Sequence, residues 1–425
     1  MNEEFLHYIW KYQLFDHKEL VTTDGEKVEI SKAGIHNFDS GPDFFNAQVR
    51  IAETLWAGHV EIHGKSSEWY AHKHDTDAAY DQIILHVVHE DDRPVHRSNG
   101  MKIPTVVLKG RFELKLLDNY RDLTESMQWV PCSHQIHSVP DFVRENWLDR
   151  VLVDRLERKA TKINAWLSMN NNDWEQTFYQ ALARNFGFRV NAVPFELLAT
   201  SLPYVQLSKH RDSLFQLEAM LYGQAGLLSG KKFMDDYPKK LQKEYEFLAS
   251  KFRFKPIEAH LWKFMRMRPA NFPSIRISQF ASLLHQSKNI FSESMEESNI
   301  QKLRSKFQLK ASEYWRDRYR FDKKTTKVGD KKMSEASSNN ILINTVAPFL
   351  FVYGRKIGEE KMLNRSFDLL HFCKGEVNKI TKAWSSMGMP TKTSFQTQAL
   401  IQLKNEFCDN KKCLNCAIGN HIIKS

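Results

Sequence analysis

Two short stretches bring chemically competent side chains close together in the chain. Gly41-Pro42-Asp43 puts an acid directly after a turn-forming pair, and Glu61-Ile62-His63-Gly64-Lys65 alternates an acid with two bases. Residues two apart in a strand share a face, so Glu61, His63 and Lys65 point the same way. If a strand over Asn46–Ile51 pairs with one over Gly58–Gly64, Asp43 approaches Glu61. Two converging carboxylates bind a hard divalent cation such as Mg²⁺ or Mn²⁺ and hold a water for attack on phosphorus. His63 or Lys65 is then the group expected to orient or deprotonate that water and to offset charge developing on the phosphate.

The next thirty residues add His72, His74 and His86 to the candidate ligands. A site rich in imidazole favours Zn, Mn or Fe over Mg. The bland alternative is a sheet edge carrying polar histidines on its outer face, with Trp69 and Tyr80 as core. A second cluster closes the chain: Cys408-x4-Cys413-x2-Cys416, with His421 five residues on. A C-x2-C pair grips one metal from a tight turn. Cys373 or His421 is expected to complete a four-ligand set, which suits structural Zn²⁺ or, with four thiolates, a [4Fe–4S] cluster. The Cys132-x-His134 segment reads as an interdomain loop able to lend a ligand. Five cysteines so placed form no disulfide framework.

Charge is divided unevenly along the chain. Residues 1–140 carry 14 Lys and Arg against 22 Asp and Glu, a balance of −8, and 12 of the 17 histidines. The remainder carries 47 bases against 29 acids, or +18, so the net is +10. An acidic, His-rich front joined to a basic back is the pattern of a metal centre beside a polyanion-binding surface. Candidate phosphate contacts are Arg184 and Arg189, then Arg266, Arg268 and Arg276 around an irregular Pro-containing turn. Arg316, Arg318 and Arg320 lie interleaved with Tyr314, Trp315 and Tyr319. Nucleic acid is the expected partner.

The elements that must position these groups follow from periodicity. The first residues read as a short amphipathic helix, and Asp24-Gly25 marks a hairpin. Strands are expected over Asn46–Ile51, Gly58–Gly64, Gln82–Val88 and Ile103–Leu108, with a helix capped by Ser66 or Ser67 before the third. After Pro140 apolar residues recur at three and four, the pattern of amphipathic helices, with Gly187 and Gly226 as stops. The expected fold class is α+β. It divides into a mixed α/β domain with a small central sheet over 1–140, a basic helical domain over 141–321, an exposed linker over 322–340, and a helical segment with the Cys cluster over 341–425. At 425 residues and 42% hydrophobic content the chain can bury several ordinary cores. No uncharged apolar run is long enough to span a bilayer, and the acidic first residues are unlike a signal peptide. A cytoplasmic protein is expected.

The order of acid, strand and Glu-x-base resembles the PD-(D/E)xK nuclease superfamily over about residues 1–110. Pro42-Asp43 corresponds to its first half-motif, and Glu61-Ile62-His63 to its second, with His in place of the usual Lys. That resemblance implies a restriction-endonuclease-like core and hydrolysis of phosphodiester bonds in DNA or RNA. The cysteine spacing resembles the terminal iron–sulfur loop of some DNA glycosylases, but is shorter and one Cys fewer. The segments EEFLHYIWKYQLF, GPDFFNAQVRI, ARNFGF, LYGQAGLL and CLNCAIGN resemble an uncharacterised bacterial family, chiefly of Bacteroidetes, known as a domain of unknown function. Two other functional classes fit the residues: a non-catalytic nucleic-acid or ribonucleoprotein-binding module on a degenerate nuclease scaffold, and a His-rich metallohydrolase of a small substrate.

Overall fold

The structure, a computed structural model, describes all residues 1–425. The chain forms two compact units. One comprises Met1–Trp147 together with Leu403–Ser425, and the other Leu148–Gln402.

In the first unit, helix α1 (Glu3–Lys11) opens with the Asn2 side chain accepting from the Glu4 amide. Its apolar stripe buries Phe5, Leu6, Ile9 and Trp10, while His7 lies on another face. The sheet holds β1 (Val28–Lys32), β2 (Ile35–His36), β3 (Phe44–Ile51), β4 (Thr54–Lys65), β5 (Ile83–Glu90) and β6 (Thr105–Val107). Its order is β1-β3-β4-β5-β6, with β2 paired to β3. The first strands are antiparallel, whereas β4–β5 and β5–β6 are parallel. The mixed α/β class, with helices following the sheet, agrees with the sequence reading. Val60 and Ile62 fill the core from one face of β4, so parity sends Glu61 and His63 to the other.

The helix expected after β4 is cut short. Helix α2 spans only Glu68–Ala71, because Lys73 takes a left-handed conformation (φ 62°) that a continuing helix cannot hold. Single 3₁₀ turns follow at His74–Thr76 and Ala78–Tyr80. Ser66 and Ser67 do not cap it. Their hydroxyls donate to Asp92 instead, at 3.0 and 2.8 Å.

Helix α3 (Leu114–Glu125) packs against the terminal helix Ala417–Lys424, and Asn119 donates to the Ile422 and Ile423 carbonyls. The last 23 residues therefore belong with the sheet, not with the helical segment expected over 341–425. Helix α4 (Asp141–Met169) begins in the first unit and continues into the second.

The second unit is helical. Residues 322–340 are not a linker within it. Lys323–Lys324 pairs with Arg318–Arg320, Lys332 bridges Lys310, and helix Glu335–Ile341 buries Ser337, Ser338 and Asn339. A stretch with five lysines and no apolar period hides an apolar anchor at Met333, whose amide donates to the Leu309 carbonyl at 2.7 Å. No helix is long and apolar enough to cross a membrane.

Candidate metal centre

The register of β3 against β4 builds the site. Phe44 pairs with Val60, which sets Asp43 across from Glu61. A bulge then shifts the register before Ala47, where Asn46 adopts φ 56° and its amide meets His59 Nδ1 at 3.3 Å. Asp43 and Glu61 are tied reciprocally. The Asp43 N–H donates to Glu61 Oε2 at 3.1 Å, and the Ile62 N–H donates to Asp43 Oδ2 at 2.9 Å. The approach of Asp43 to Glu61 expected from the strand pairing is present, each carboxylate bonded to a backbone amide of the other's segment.

Glu61 Oε1 faces the histidines. It lies 3.3 Å from His74 Nε2 and 3.9 Å from His63 Nε2. His63 Nε2 is 3.1 Å from His72 Nδ1, and one ligand atom from each of His63, His72 and His74 lies within 4.8 Å of the others. The short break in the helix makes this possible, because the left-handed Lys73 turns His74 back toward the strand. Trp69, fully buried, flanks the His74 and His86 rings at 5.3 and 5.6 Å, and Tyr80 stacks on His74 at 3.7 Å. His63 and His74 are buried while His72 is exposed, so the cluster has one open side.

Burial, reinforced by the charge that neighbouring imidazoles would carry, drives the His63 pKa down to about 2. His86 falls to about 3 for the same reasons. Both rings are therefore neutral, the form in which imidazole binds metal. Glu61 is raised, chiefly by burial and in part by Asp43, against the hydrogen bond from His74.

His86, a candidate ligand in the sequence, lies behind His63. Its Nε2 is 2.8 Å from His63 Nδ1, and its own Nδ1 is buried without a partner. In the tautomer where His63 Nδ1–H donates to His86, the His63 Nε2 lone pair is free to bind a metal, and His86 fixes the ring. Lys65 is likewise displaced from its expected role. It is exposed at the end of β4 and is not among the groups hydrogen-bonded to Asp43 or Glu61. The base beside Asp43 is His7, from α1, whose Nε2 lies 3.1 Å from Asp43 Oδ2 as a charge contact rather than an aligned hydrogen bond. Burial opposes protonation of His7, but the adjacent Asp43, with Glu3 and Glu61, outweighs it and raises the pKa. Only the i, i+3 and i+4 pattern of α1 could have flagged His7, since it sits off the apolar stripe. A cavity of about 290 Å³ opens beside it, lined in part by Glu4, Lys11, His36 and Asn37.

The arginines of the helical unit divide. Arg276 is 2% exposed, donates to Gln279, Asn271 and Ser337, and stacks on Phe188. Arg318 is held by Asp235 and Asp317 against the Tyr314 ring. Neither is available to a phosphate, which corrects the expectation for both. Arg316 is paired with Glu313 and Asp330, and Arg184 with Glu196. Arg189, Arg266, Arg268 and Arg320 remain exposed. Arg184 and Arg189 share a cavity of about 370 Å³ with Lys159 and Lys162.

Among the cysteines, Cys373 belongs to the helical unit, where Arg304 and Glu335 are its charged neighbours. His421 lies on the terminal helix, where its carbonyl accepts from the Ser425 amide and hydroxyl. Cys132 falls in the same unit as Cys408, Cys413 and Cys416.

The chain belongs to the family described as "Protein of unknown function (DUF2851)", whose model matches residues 3–379. Neither a curated protein nor a solved structure is significantly similar to it.

Proposed function

We propose that the first unit is a metal-dependent phosphodiesterase acting on DNA or RNA. The observation that carries this reading is the reciprocal Asp43–Glu61 pair set against three clustered imidazoles. The element order of helix, antiparallel strands, short helix and parallel strand supports it, being the order that the resemblance to a PD-(D/E)xK core implies.

His63, His72, His74 and Glu61 Oε1 would hold the cation. The cation would supply Lewis acidity for the phosphoryl oxygens and a water activated near neutral pH. The chain's own groups do the rest. The Asp43 amide fixes Glu61 Oε2, so Oε1 is the oxygen left to ligate or to receive a proton. The Ile62 amide fixes Asp43, whose charge keeps a proton on His7 for delivery to a leaving oxygen. The exposed arginines of the helical unit would meet the polyanion.

A second reading, hydrolysis of a small substrate, is favoured by the donor set, which is richer in imidazole than Mg²⁺ chemistry needs. One panel separates the two. Single- and double-stranded DNA and RNA, and a small aryl phosphodiester, are incubated with chelator-stripped protein plus Mn²⁺, Mg²⁺ or Zn²⁺, for wild type and Glu61→Gln. Cleavage of a nucleic acid by wild type alone supports the proposal. Cleavage of only the small ester supports the second reading. Binding of nucleic acid without cleavage under every metal overturns both.

A further inference from the structure

Helix α4 places Lys159, Lys162 and Trp166 on one side, spaced by three and then four residues. The helix Trp174–Phe186 brings Arg184 and Asn185 to the same space, and the turn after it brings Phe188 and Arg189. That turn is tight at Gly187, where a Cβ would sit 2.2 Å from the Asn191 carbonyl oxygen. Phe188 follows it in a left-handed conformation, φ 49°. The remaining wall is a π-type turn, Leu342–Val346, set between the helices Glu335–Ile341 and Ala347–Ile357. Wide turns of this kind inside helices recur at functional sites. It carries Asn344 and Thr345, and Asn185 donates to Thr345 Oγ1 at 3.0 Å. The cavity they line, about 370 Å³, falls in the range of roughly 300–1,000 Å³ typical of small-ligand sites.

The lining carries Lys159, Lys162, Arg184 and Arg189 and no acid. Arg184 is paired with Glu196, which lies outside the lining. Lys159 is half-buried, and neutral groups accept from it: Asn344 Oδ1 at 2.9 Å and the Ile343 carbonyl at 3.5 Å. Glu376 is the acid whose charge reaches it, and Gln398 donates to that carboxylate. Burial, with Arg155 and Arg158 adding to it, pushes the Lys159 ammonium well below its usual pKa. Gathered cations that have shed water are costly to keep charged, and an anion among them offsets that cost. Phosphate suits this set, because guanidinium forks and an ammonium both match its oxygens. Trp166 and Phe188, each half-buried, give the cavity an aromatic wall. Such a wall suits a planar, weakly polar body.

We propose that this cavity binds a phosphate monoester carried on a planar ring, the chemistry of a mononucleotide. Lys159, Lys162 and Arg189 hold the phosphate, and the ring lies against Trp166 and Phe188. A free nucleotide and the phosphorylated end of a strand share that chemistry. The proposal is independent of the hydrolase reading, because the cavity lies wholly within the helical unit.

The test measures binding of AMP, GMP, CMP and UMP to full-length protein by calorimetry. EDTA is present, so that no cation at the histidine cluster holds the phosphate. At least one nucleotide is expected to bind at a single site with a Kd on the order of 10 μM. Its nucleoside and inorganic phosphate, each lacking part of the recognised group, are expected to bind at least about tenfold more weakly. Lys159→Met keeps the length of the stem and is expected to weaken binding at least about 30-fold without lowering the thermal midpoint. Arg189→Ala, at an exposed position, is expected to weaken it about 2–5-fold. Displacement of the nucleotide by a 5′-phosphorylated oligonucleotide, and not by its 5′-hydroxyl form, identifies a strand end as the ligand. Displacement by neither identifies the free nucleotide. Equal displacement by both would overturn the proposal, since internal phosphodiesters would then suffice. So would the absence of nucleotide binding, or an affinity unchanged in either variant.

Discussion

Asp43 and Glu61 each hold their carboxylate on the other's strand: Glu61 Oε2 takes the Asp43 amide at 3.1 Å, and Asp43 Oδ2 takes the Ile62 amide at 2.9 Å. The pair is thus a structural clasp as well as a candidate site. Asp43→Ala leaves the Ile62 amide without its acceptor and is expected to cost about 1–3 kcal/mol of unfolding free energy. Asp43→Asn, which keeps an acceptor oxygen and loses the charge, recovers most of that. Denaturant midpoints of the two variants measure the difference. Equal losses would show that the charge, not the hydrogen bond, holds β3 to β4.

His86 orients His63 without reaching the cluster itself. His86→Asn is expected to weaken Mn²⁺ or Zn²⁺ binding about 10–100-fold while leaving the stoichiometry at the histidine cluster unchanged. Equilibrium dialysis of the metal-stripped protein reads both. An unchanged affinity would mean that the His63–His86 contact has no bearing on metal binding.

Depressed histidine pKa values make the metal-free unit acid-sensitive. His63 at about 2 and His86 at about 3 stay neutral when folded, whereas the unfolded chain binds their protons below about pH 6.5. Their stabilising contribution is therefore present above about pH 6.5 and lost as pH falls toward the folded values. The slope is about 1.4 kcal/mol per pH unit for each histidine. Unfolding of chelator-stripped protein between pH 7 and 4 checks this. His86→Phe should remove one histidine's share of the slope, and an unaltered slope would contradict the assignment.

Arg276 separates structural from nucleic-acid roles among the arginines. Arg276→Met strips donors from Asn271, Gln279 and Ser337 and is expected to destabilise the helical unit by about 2–4 kcal/mol. The salt dependence of any nucleic-acid binding should stay as it is in wild type. Arg189→Ala/Arg268→Ala, at exposed positions, should do the reverse, flattening that dependence with little change in thermal unfolding.

Close packing adds a further expectation in the helical unit. Gly223 lies against the Tyr245 ring, where a Cβ would be 2.0 Å from Cγ. Gly223→Ala is expected to destabilise by about 1–3 kcal/mol, read as a lowered thermal midpoint.

What the sequence disclosed follows the reach of each signal. Parity within β4 put Glu61 and His63 on one face, and Asp43 fell opposite because a single hairpin connects β3 to β4. These are local relationships, set by a period of two and a short turn. Lys65 shares that parity yet sits past the buried part of the strand, and parity says nothing of depth. His74 joined the cluster through the left-handed Lys73, a backbone event that no apolar pattern announces. His7 comes from an element whose partner is distant in sequence, α1 against the sheet. Likewise, Arg276 and Arg318 looked like free cations because the residues that satisfy them, from Ser337 to Asp235, are supplied by remote segments.

The proposed hydrolysis depends on a cation held by His63, His72, His74 and Glu61. Titrating Mn²⁺ into chelator-stripped protein while recording metal bound and nucleic acid cleaved tests it most directly. Both curves are expected to rise together to one equivalent at the histidine cluster and to shift together to higher Mn²⁺ in Glu61→Gln. Cleavage that saturates independently of that occupancy, or no cleavage when the site is full, would contradict it.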